Sequence, residues 1–373
     1  MNEDKSTRYR RLQRRASLCS AALAAIALLL FLISGGSAAF RDALGGSSWL
    51  TLLSFTIVLA VAIEVLQAPF AYYKGVTLER RYGLSAQSAA GWIVDHIRVA
   101  QLGLVLALIA ASVLWASMRL VPDAWWLAAA GAAIAVLALA ARVAPVLLLP
   151  LFYDFTPLDR PALVARLHAL AARAGVPVLG VYTWRMADKT RKANAALAGL
   201  GATRRILISD TLLDEHSDDE IEVVLAHELA HHVHRDLWSS LAMEGLLLAA
   251  SFYAADRVLD RATGAFGLIG KADIAALPLL VLSAAAVMLL LRPLANALSR
   301  LQEHRADRYA LNATGNTAAF ISAMKRLGEQ NLAEEQPPRL VELLFYTHPP
   351  MAARIAAART RERSERSERS ERF

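Results

Sequence analysis

Six long apolar segments limit the folds that this sequence can adopt. A helix needs roughly 20 apolar residues to cross the hydrocarbon core of a bilayer. Six segments meet this requirement: 17–34, 49–72, 98–118, 125–150, 237–256 and 276–296. Hydrophobic residues make up 56% of the 373 residues, which exceeds the roughly 45–50% of soluble domains. We therefore predict a mainly α-helical, polytopic membrane protein with about six transmembrane helices.

Basic residues beside the apolar segments predict the orientation in the membrane. Six of them precede the first segment: Lys5, Arg8, Arg10, Arg11, Arg14 and Arg15. Because cytoplasmic loops are enriched in Lys and Arg, residues 1–16 are predicted to be a basic cytoplasmic N-terminus, followed by a retained anchor. Residues 17–150 then form four transmembrane helices with a cytoplasmic loop at 73–97. A transmembrane hairpin at 237–296 leaves two polar segments in the cytoplasm, 151–236 and 297–358.

Charge and cysteine content exclude several other classes. The formal net charge is +7, but the basic residues cluster beside the apolar segments, which fits membrane topology and not a nucleic-acid surface. We therefore expect the lipid bilayer as a partner and no nucleic acid. Cys19 is the only cysteine, so neither a disulfide framework nor a cysteine-rich zinc site can form.

The two polar segments differ in pattern. In the first, residues 160–175 predict an amphipathic helix, and three short strands are predicted at 176–184, 192–203 and 204–210. The chain ends in a Ser-Glu-Arg repeat at 359–373 with almost no apolar residues. We predict that this repeat is disordered and has no catalytic role.

A single helix is predicted to carry four closely spaced histidines. Ser217 followed by Glu220 is a capping box, which marks the start of a helix, and we expect this helix to continue into the apolar segment 237–256. On such a helix, His227 and His231 lie on one face, about 40° apart. These two side chains are therefore placed to bind one ion.

Helical geometry separates this pair from the other two histidines. His234 lies about 10 Å along the axis from His227, which is too far for both to bind one zinc ion, and His232 points about 140° away. Glu228 favours the pair His227 and His231, because His-Glu-x-x-His puts a carboxylate where it can take a proton from bound water. The sequence therefore predicts a zinc peptidase site with Glu228 as its catalytic base.

The third metal ligand must come from elsewhere in the chain. Leu237 occupies the position at which a metzincin has its third histidine. After the last apolar segment, Glu303 and Asp307 lie four residues apart on a predicted helix. One of these carboxylates could bind the zinc while the other accepts a hydrogen bond from a ligand imidazole. His304 is a rival ligand, and the hairpin returns all three to the side of the membrane on which the histidines lie.

Five motifs resemble one family of membrane peptidases. AHELAHH and SRLQEHRAD resemble the membrane-integral zinc peptidases of the CAAX prenyl protease 1 family, with the HtpX proteases as shorter relatives. LERRYGLSAQSAAGWIVDHIR, VLLLPLFYDFTPL and YTHPPMAARI are similar to further motifs of the prenyl-protease branch. Together the motifs cover most of residues 70–356.

The resemblance implies a fold and a set of site residues. It implies a small α+β, zincin-like protease domain on the cytoplasmic side, with one zinc ion per chain held by His227, His231 and Glu303. Glu228 would activate the water, and Asp307 would orient a ligand. Three further residues are implied to serve the substrate: Asn194 in an edge strand that pairs with the peptide, and His348 and Arg354 in substrate or oxyanion contacts.

These expectations amount to a gluzincin-like zinc metalloendopeptidase that acts on a peptide or protein substrate, prenylated or embedded in the membrane. An alternative within the same chemistry is an HtpX-like protease for quality control of membrane proteins. A catalytically inactive scaffold is disfavoured because every ligand and Glu228 are present. An Ala-, Leu- and Arg-rich chain indicates a bacterial source, so we expect an inner-membrane protein with both termini and the active site in the cytoplasm.

Some ionisable residues fall well inside the apolar segments, among them Glu64, Arg142 and Glu244. Burying a charge in a bilayer costs several kcal/mol, so each needs a partner or water. The resemblance implies a water-filled chamber between the helices. The alternatives are ion pairs between helices, or side chains that reach to the interface.

Overall fold

Long helices make up the membrane part of the protein. A computed structural model describes residues 4–199 and 201–370. Within these ranges six helices are long and apolar enough to cross a membrane, which confirms the number predicted from the sequence. The N-terminal part contains α1 (Lys5–Ile33), α2 (Gly36–Ala43), α3 (Trp49–Tyr72), a π-helical turn (Tyr73–Leu78), α4 (Glu79–Arg81), α5 (Ala89–Leu120), α6 (Trp125–Val143), a second π-helical turn (Ala144–Leu148) and a 3-10 turn (Leu149–Leu151).

The end of α3 packs closely against α5. Pro69 lies within the last turns of α3, where it leaves a backbone carbonyl without its usual helical partner, and the π-helical turn follows at once. A Cβ atom at Gly75 would lie 2.3 Å from Nε1 of Trp92, so glycine is required there. Trp92 in turn stacks on His96, with ring centroids 4.6 Å apart.

The segment after α6 contains a small sheet between helices. Its elements are β1 (Phe155–Pro157), α7 (Pro161–Arg173), β2 (Val181–Trp184), β3 (Ala195–Ala198), β4 (Arg205–Ser209), α8 (Asp210–Glu215) and α9 (Asp218–Val233). In the described part of the chain the strand order is β1-β2-β4-β3, with β2 and β4 parallel and the other pairs antiparallel. The predicted helix and three strands are thus confirmed; β1, of three residues, is additional.

A continuous apolar core holds this sheet to the helices. Leu163 and Leu167 of α7 are fully buried with Ile206 of β4 and Leu225 of α9. Burying a side chain of this size stabilises a fold by about 1.5–3 kcal/mol. The core therefore fixes α9, which carries the histidines, against the sheet.

The rest of the chain is helical: α10 (Asp236–Ala262), α11 (Leu277–Thr314), α12 (Thr317–Gln330), α13 (Arg339–Phe345) and α14 (Met351–Ser370). The expected single helix from the histidines into the next membrane segment is wrong, because the chain breaks between α9 and α10. Arg235 lies there in the left-handed region, at φ 57°. A non-glycine residue rarely adopts this conformation, and it turns α10 away from the axis of α9.

The predicted disorder of 359–373 also differs from the structure over the described residues, since α14 continues to Ser370. The repeat places an arginine four residues after a glutamate, for instance at 362 and 366. This order and spacing stabilise a helix by about 0.2–0.5 kcal/mol per pair. Low apolar content alone was therefore an insufficient indication of disorder.

Glu64 and Glu244, which lie inside apolar segments, have charged or titratable neighbours. Glu64 Oε1 lies 2.8 Å from Nε2 of His96, and Glu244 Oε1 lies 3.1 Å from Nη1 of Arg292. These contacts join α3 to α5 and α10 to α11, as the ion-pair alternative requires. Glu64 and His96 also line a mostly apolar cavity of about 720 Å³ between the membrane helices.

Candidate active site

The start of α9 is strongly determined by its own sequence. The Ser217 backbone N–H donates to Glu220 Oε2 at 2.8 Å, and the Glu220 N–H donates to Ser217 Oγ at 3.4 Å. This is the predicted capping box. Asp218, Asp219 and Glu220 place negative charge in the first turn, which favours the positive end of the helix dipole.

His227 and His231 meet on one face of α9, as predicted. Their Nε2 atoms are 3.3 Å apart and their rings lie at 84° to each other. Glu303 approaches from α11, with Oε2 at 3.2 Å from His227 Nε2 and Oε1 at 3.4 Å from His231 Nε2. Two imidazole nitrogens from α9 and the two carboxylate oxygens of one residue from α11 therefore converge on one small volume.

This triangle fits a zinc ion. Ligand atoms at 2.0–2.1 Å from a tetrahedral zinc lie roughly 3.3–3.4 Å from one another. His227 Nε2 lies 3.3 Å from His231 Nε2 and 3.2 Å from Glu303 Oε2, and His231 Nε2 lies 3.4 Å from the other carboxylate oxygen, Oε1. Glu303 Oε2 is buried, and none of the described residues donates a well-aligned hydrogen bond to it, although His227 Nε2 lies at 3.2 Å. A buried carboxylate oxygen without a donor is costly, and a cation would satisfy it.

The second nitrogen of each imidazole faces a carboxylate. His227 Nδ1 lies 3.0 Å from Asp307 Oδ1, and His231 Nδ1 lies 2.8 Å from Asp236 Oδ2. A proton on Nδ1 that is donated to the carboxylate leaves the Nε2 lone pair free for a metal. This is the arrangement by which proteins orient metal-binding histidines.

Arg354 supports this arrangement from α14. It is only 5% exposed, and it donates to both oxygens of Asp307, through Nε at 2.8 Å and Nη2 at 2.5 Å. Such a bidentate pair fixes the plane of the carboxylate. The orientation of His227 is therefore linked through Asp307 to α14.

Glu228 follows His227 directly, and its side chain is half-buried. Burial raises the pKa of its carboxyl group, partly offset by the charges of His227 and His231. Burial opposes a charge on His227, but the carboxylates of Asp307 and Glu303 beside its ring outweigh this effect and raise the pKa of His227 to about 9. These two carboxylates therefore favour a positive charge at this point of the pocket.

The remaining candidates lie as follows. His304 is exposed and is not part of the triangle. His232 Nε2 contacts the Leu197 carbonyl at 3.2 Å, and the His234 ring lies 5.9 Å from that of Tyr309. The geometry thus favours His227 and His231 over the pair of His231 and His234 as ligands. It also favours Glu303 over His304 as the third ligand.

His348 reaches the triangle from the loop before α14. Its Nε2 lies 3.3 Å from Glu303 Oε1, while 59% of the side chain is exposed. The imidazole therefore stands between the candidate metal site and solvent, in a position where a bound peptide could touch it.

Asn194 lies just before β3, which is an edge strand as the resemblance implied. The Ser209 N–H donates to the Asn194 carbonyl at 2.9 Å. Because backbone groups alternate in direction along an antiparallel pair, Ala195 and Leu197 turn theirs toward the open edge. The contact of Leu197 with His232 agrees with this alternation.

Two family models together match almost the whole chain. Residues 157–362 match the model described as peptidase family M48, and this range is more than half of the sequence. This chain belongs to peptidase family M48. Residues 2–154 of this M48 protein match a second model, described as CAAX prenyl protease N-terminal, five membrane helices. The M48 chain is therefore an integral membrane metallopeptidase, and the resemblance drawn from its motifs is confirmed.

Bacterial and yeast proteins are similar to this M48 chain. It is 30% identical over 318 residues to "Uncharacterized metalloprotease YhfN" of Bacillus subtilis, covering 84% of this chain and 74% of that protein. It is 27% identical over 335 residues to "CAAX prenyl protease 1" of Saccharomyces cerevisiae, covering 82% and 71%. The crystal structure of S. mikatae Ste24p has the same fold, with a TM-score of 0.84 at 23% identity over 95% of this chain and 88% of that one.

Sequence reasoning missed Asp236 at the M48 site. On an unbroken helix, a residue five positions after His231 would point about 140° away from it. The break at Arg235 removes this obstacle and lets Asp236 turn back toward His231. The only sequence signal was an aspartate beside the motif, at the boundary between a polar helix and an apolar segment.

Proposed function

We propose that this M48 peptidase is a zinc metalloendopeptidase that hydrolyses peptide bonds in membrane-associated or CAAX-type protein substrates. The observation that carries the proposal is that the Nε2 atoms of His227 and His231 lie 3.3 Å apart and each lies 3.2–3.4 Å from one of the two carboxylate oxygens of Glu303. These separations fit a tetrahedral zinc ion, and each imidazole has a carboxylate at its other nitrogen. The name of the yeast relative supports the CAAX-type substrate class.

Each residue around the triangle has a role in this proposal. His227, His231 and Glu303 would hold one zinc ion per chain, and Asp307 and Asp236 would orient the two imidazoles. When bound, zinc supplies a Lewis acid that activates water and polarises the scissile carbonyl. Glu228 accepts the proton of the attacking water and passes it to the leaving amine.

The open edge of β3 is assigned to the substrate backbone. An extended peptide can add a strand to an exposed sheet edge, with main-chain hydrogen bonds providing affinity. Ala195 turns its N–H and carbonyl to that edge, while Asn194 is exposed at its start. The packing of β3 against α9, the helix that carries His227 and His231, supports this assignment.

His348 and Arg354 receive different roles. The exposed imidazole of His348, 3.3 Å from Glu303, suits a contact with the substrate carbonyl as negative charge develops on it. Arg354 is buried and bound to Asp307, so we assign it to holding Asp307 in place and not to substrate contact.

The active site and both termini are assigned to the cytoplasm of a bacterium, with the protein in the inner membrane. Arg10 of α1 donates to the Leu332 carbonyl at 2.9 Å, and Arg14 pairs with Glu334 at 2.6 Å. The basic N-terminus therefore lies on the same side as the metal site, and the positive-inside rule gives that side as the cytoplasm.

A cleavage assay with purified protein tests the function. The substrates are a farnesylated CAAX peptide, the same peptide without the farnesyl group, and an unmodified membrane protein. Glu228→Gln, with its zinc content measured, is the control for contaminating proteases. We expect zinc-dependent cleavage that this variant abolishes. Preference for the unmodified membrane protein would favour a quality-control protease instead, and equal cleavage by Glu228→Gln would refute the role of Glu228.

A further inference from the structure

Tyr346 lies two residues before His348 and is held at both of its polar ends. Its hydroxyl donates to Glu334 Oε2 at 2.5 Å, and its carbonyl accepts from Arg300 Nη1 at 2.8 Å. Arg300 lies on α11, one turn before Glu303. The backbone that leads into His348 is therefore tied to the helix that carries the candidate third ligand.

The hydroxyl end of Tyr346 is connected to α1. Arg14 Nη1 lies 2.6 Å from Glu334 Oε2 and 3.0 Å from the hydroxyl oxygen of Tyr346. Glu334 is only 2% exposed, and an unpaired charge at such a site would be strongly destabilising. Arg14 and Tyr346 together compensate this charge, so the three side chains form one unit.

Tyr346 can act only as the donor to Glu334 at neutral pH. Burial, with the hydrogen bond to Glu334, raises the pKa of Tyr346 to about 12. The phenol thus keeps its proton throughout the physiological range, and its hydroxyl gives a stable contact.

His348 needs such an anchor because little else fixes its ring. The side chain is 59% exposed, and its polar contacts are Thr347 Oγ1 at 2.9 Å and Glu303 Oε1 at 3.3 Å. A small shift of the loop would move the imidazole relative to a bound peptide. Misplacement of a catalytic contact by about 1 Å can lower a rate about 10²-fold.

We infer that Tyr346 is a positioning residue for His348, held in place by Glu334 together with Arg14 of the first membrane helix. This rests on the proposed function, in which His348 contacts the substrate. The contacts among Tyr346, Glu334 and Arg14 are not the only ones that hold α1 against this part of the protein. Arg10 makes two further hydrogen bonds, to the carbonyls of Asn331 at 3.0 Å and Leu332 at 2.9 Å, so α1 stays in contact when the hydroxyl of Tyr346 is lost.

The test is Tyr346→Phe, which removes the hydroxyl and keeps the ring. We expect kcat to fall roughly 10- to 100-fold, with KM and bound zinc near their wild-type values. Tm should fall only modestly, because Arg14 still pairs with Glu334. Tyr182→Phe is the matched control: Tyr182 is a half-buried tyrosine on β2, and its variant should retain wild-type kcat. A fall in zinc content or Tm that accounts for the lost activity would overturn the inference.

A double-mutant cycle separates positioning from a general structural effect. If Tyr346 acts through His348, adding Tyr346→Phe to His348→Ala should lower kcat less than twofold further, since residues that act as a unit are non-additive. If kcat of the double variant fell by the product of the two single-variant factors, the inference would be contradicted and the proposed function would stand.

Chemical modification gives a readout that does not depend on turnover. Diethyl pyrocarbonate labels exposed imidazoles, and the rate at His348 can be followed by mass spectrometry in both tyrosine variants. We expect Tyr346→Phe to change this rate several-fold and Tyr182→Phe to leave it unchanged. An unchanged rate in both variants would refute the positioning role even if no substrate were cleaved, whereas inactivity of the wild type would count against the proposed function alone.

Discussion

Asp236 Oδ2 lies 2.8 Å from Nδ1 of His231, although the two residues belong to different helices. Asp236 is the first residue of α10, while His231 lies in the last turn of α9. The break at Arg235 brings them together. The change of backbone direction at Arg235 thus gives His231 a carboxylate partner, as Asp307 does for His227.

Removing this carboxylate should weaken metal binding. We expect Asp236→Ala to lower zinc affinity about 10- to 100-fold, because outer partners of metal-binding histidines have effects of this size. Competition with a chromophoric chelator measures the affinity. Asp236→Asn keeps an oxygen acceptor and should lose less zinc affinity than Asp236→Ala. Wild-type affinity in the alanine variant would show that His231 is oriented by other contacts.

The conformation of Arg235 can be tested with two substitutions. Arg235→Gly should preserve zinc binding, because glycine adopts positive φ without steric cost. Arg235→Val should weaken zinc binding and lower Tm, since a β-branched side chain is disfavoured in the left-handed region by more than about 1–2 kcal/mol. Zinc content after dialysis and thermal unfolding measure both effects. Equal zinc content and Tm in the two variants would argue that the left-handed conformation of residue 235 is not required.

Glu303 and its neighbour provide a matched pair for the third ligand. Glu303→Ala should lose zinc on dialysis and lose activity, because two imidazoles alone hold the ion weakly. His304→Ala, which changes an exposed side chain outside the triangle, should retain one zinc per chain and wild-type activity. Metal analysis of the dialysed proteins distinguishes them. Stoichiometric zinc in Glu303→Ala would require a different third ligand.

The substrate edge of the sheet can be probed with proline. Ala195→Pro removes an N–H that faces the open edge, so it should raise KM at least several-fold while zinc content and Tm stay near wild type; proline is tolerated at sheet edges. Ala196→Pro removes an N–H that faces β4 and should lower Tm. Steady-state kinetics with a peptide substrate give the result. Unchanged KM in Ala195→Pro would speak against pairing at this edge.

Local sequence patterns predicted the parts of the site that depend on helical periodicity. His227, His231 and Glu228 follow from one helix. The hairpin returns Glu303, Asp307 and His304 to the same side, and only the family resemblance selects Glu303 among them. Asp236 did not follow, because neither glycine nor proline marks the break at Arg235. The left-handed conformation there depends on contacts between helices, including the ion pair of Asp236 with Arg305.

Tertiary contacts also explain the other omissions. Glu334 and Tyr346 are far in sequence from Arg14, so no local pattern indicated that they meet. The strand β1 has only three residues and is defined by its pairing with β2. In the C-terminal repeat, composition predicts disorder, whereas the spacing of Glu and Arg favours the helix that α14 forms.

The path of α11 has a consequence for the biosynthesis of the protein. A ribosome makes His227, Glu228 and His231 first, then two membrane crossings, and only afterwards Glu303, on the same helix as the second crossing. A nascent chain that has not yet inserted this hairpin holds an incomplete ligand set. If the proposed ligand set is correct, zinc-dependent hydrolysis would begin only after integration into the bilayer, and a partly translated chain would be inactive.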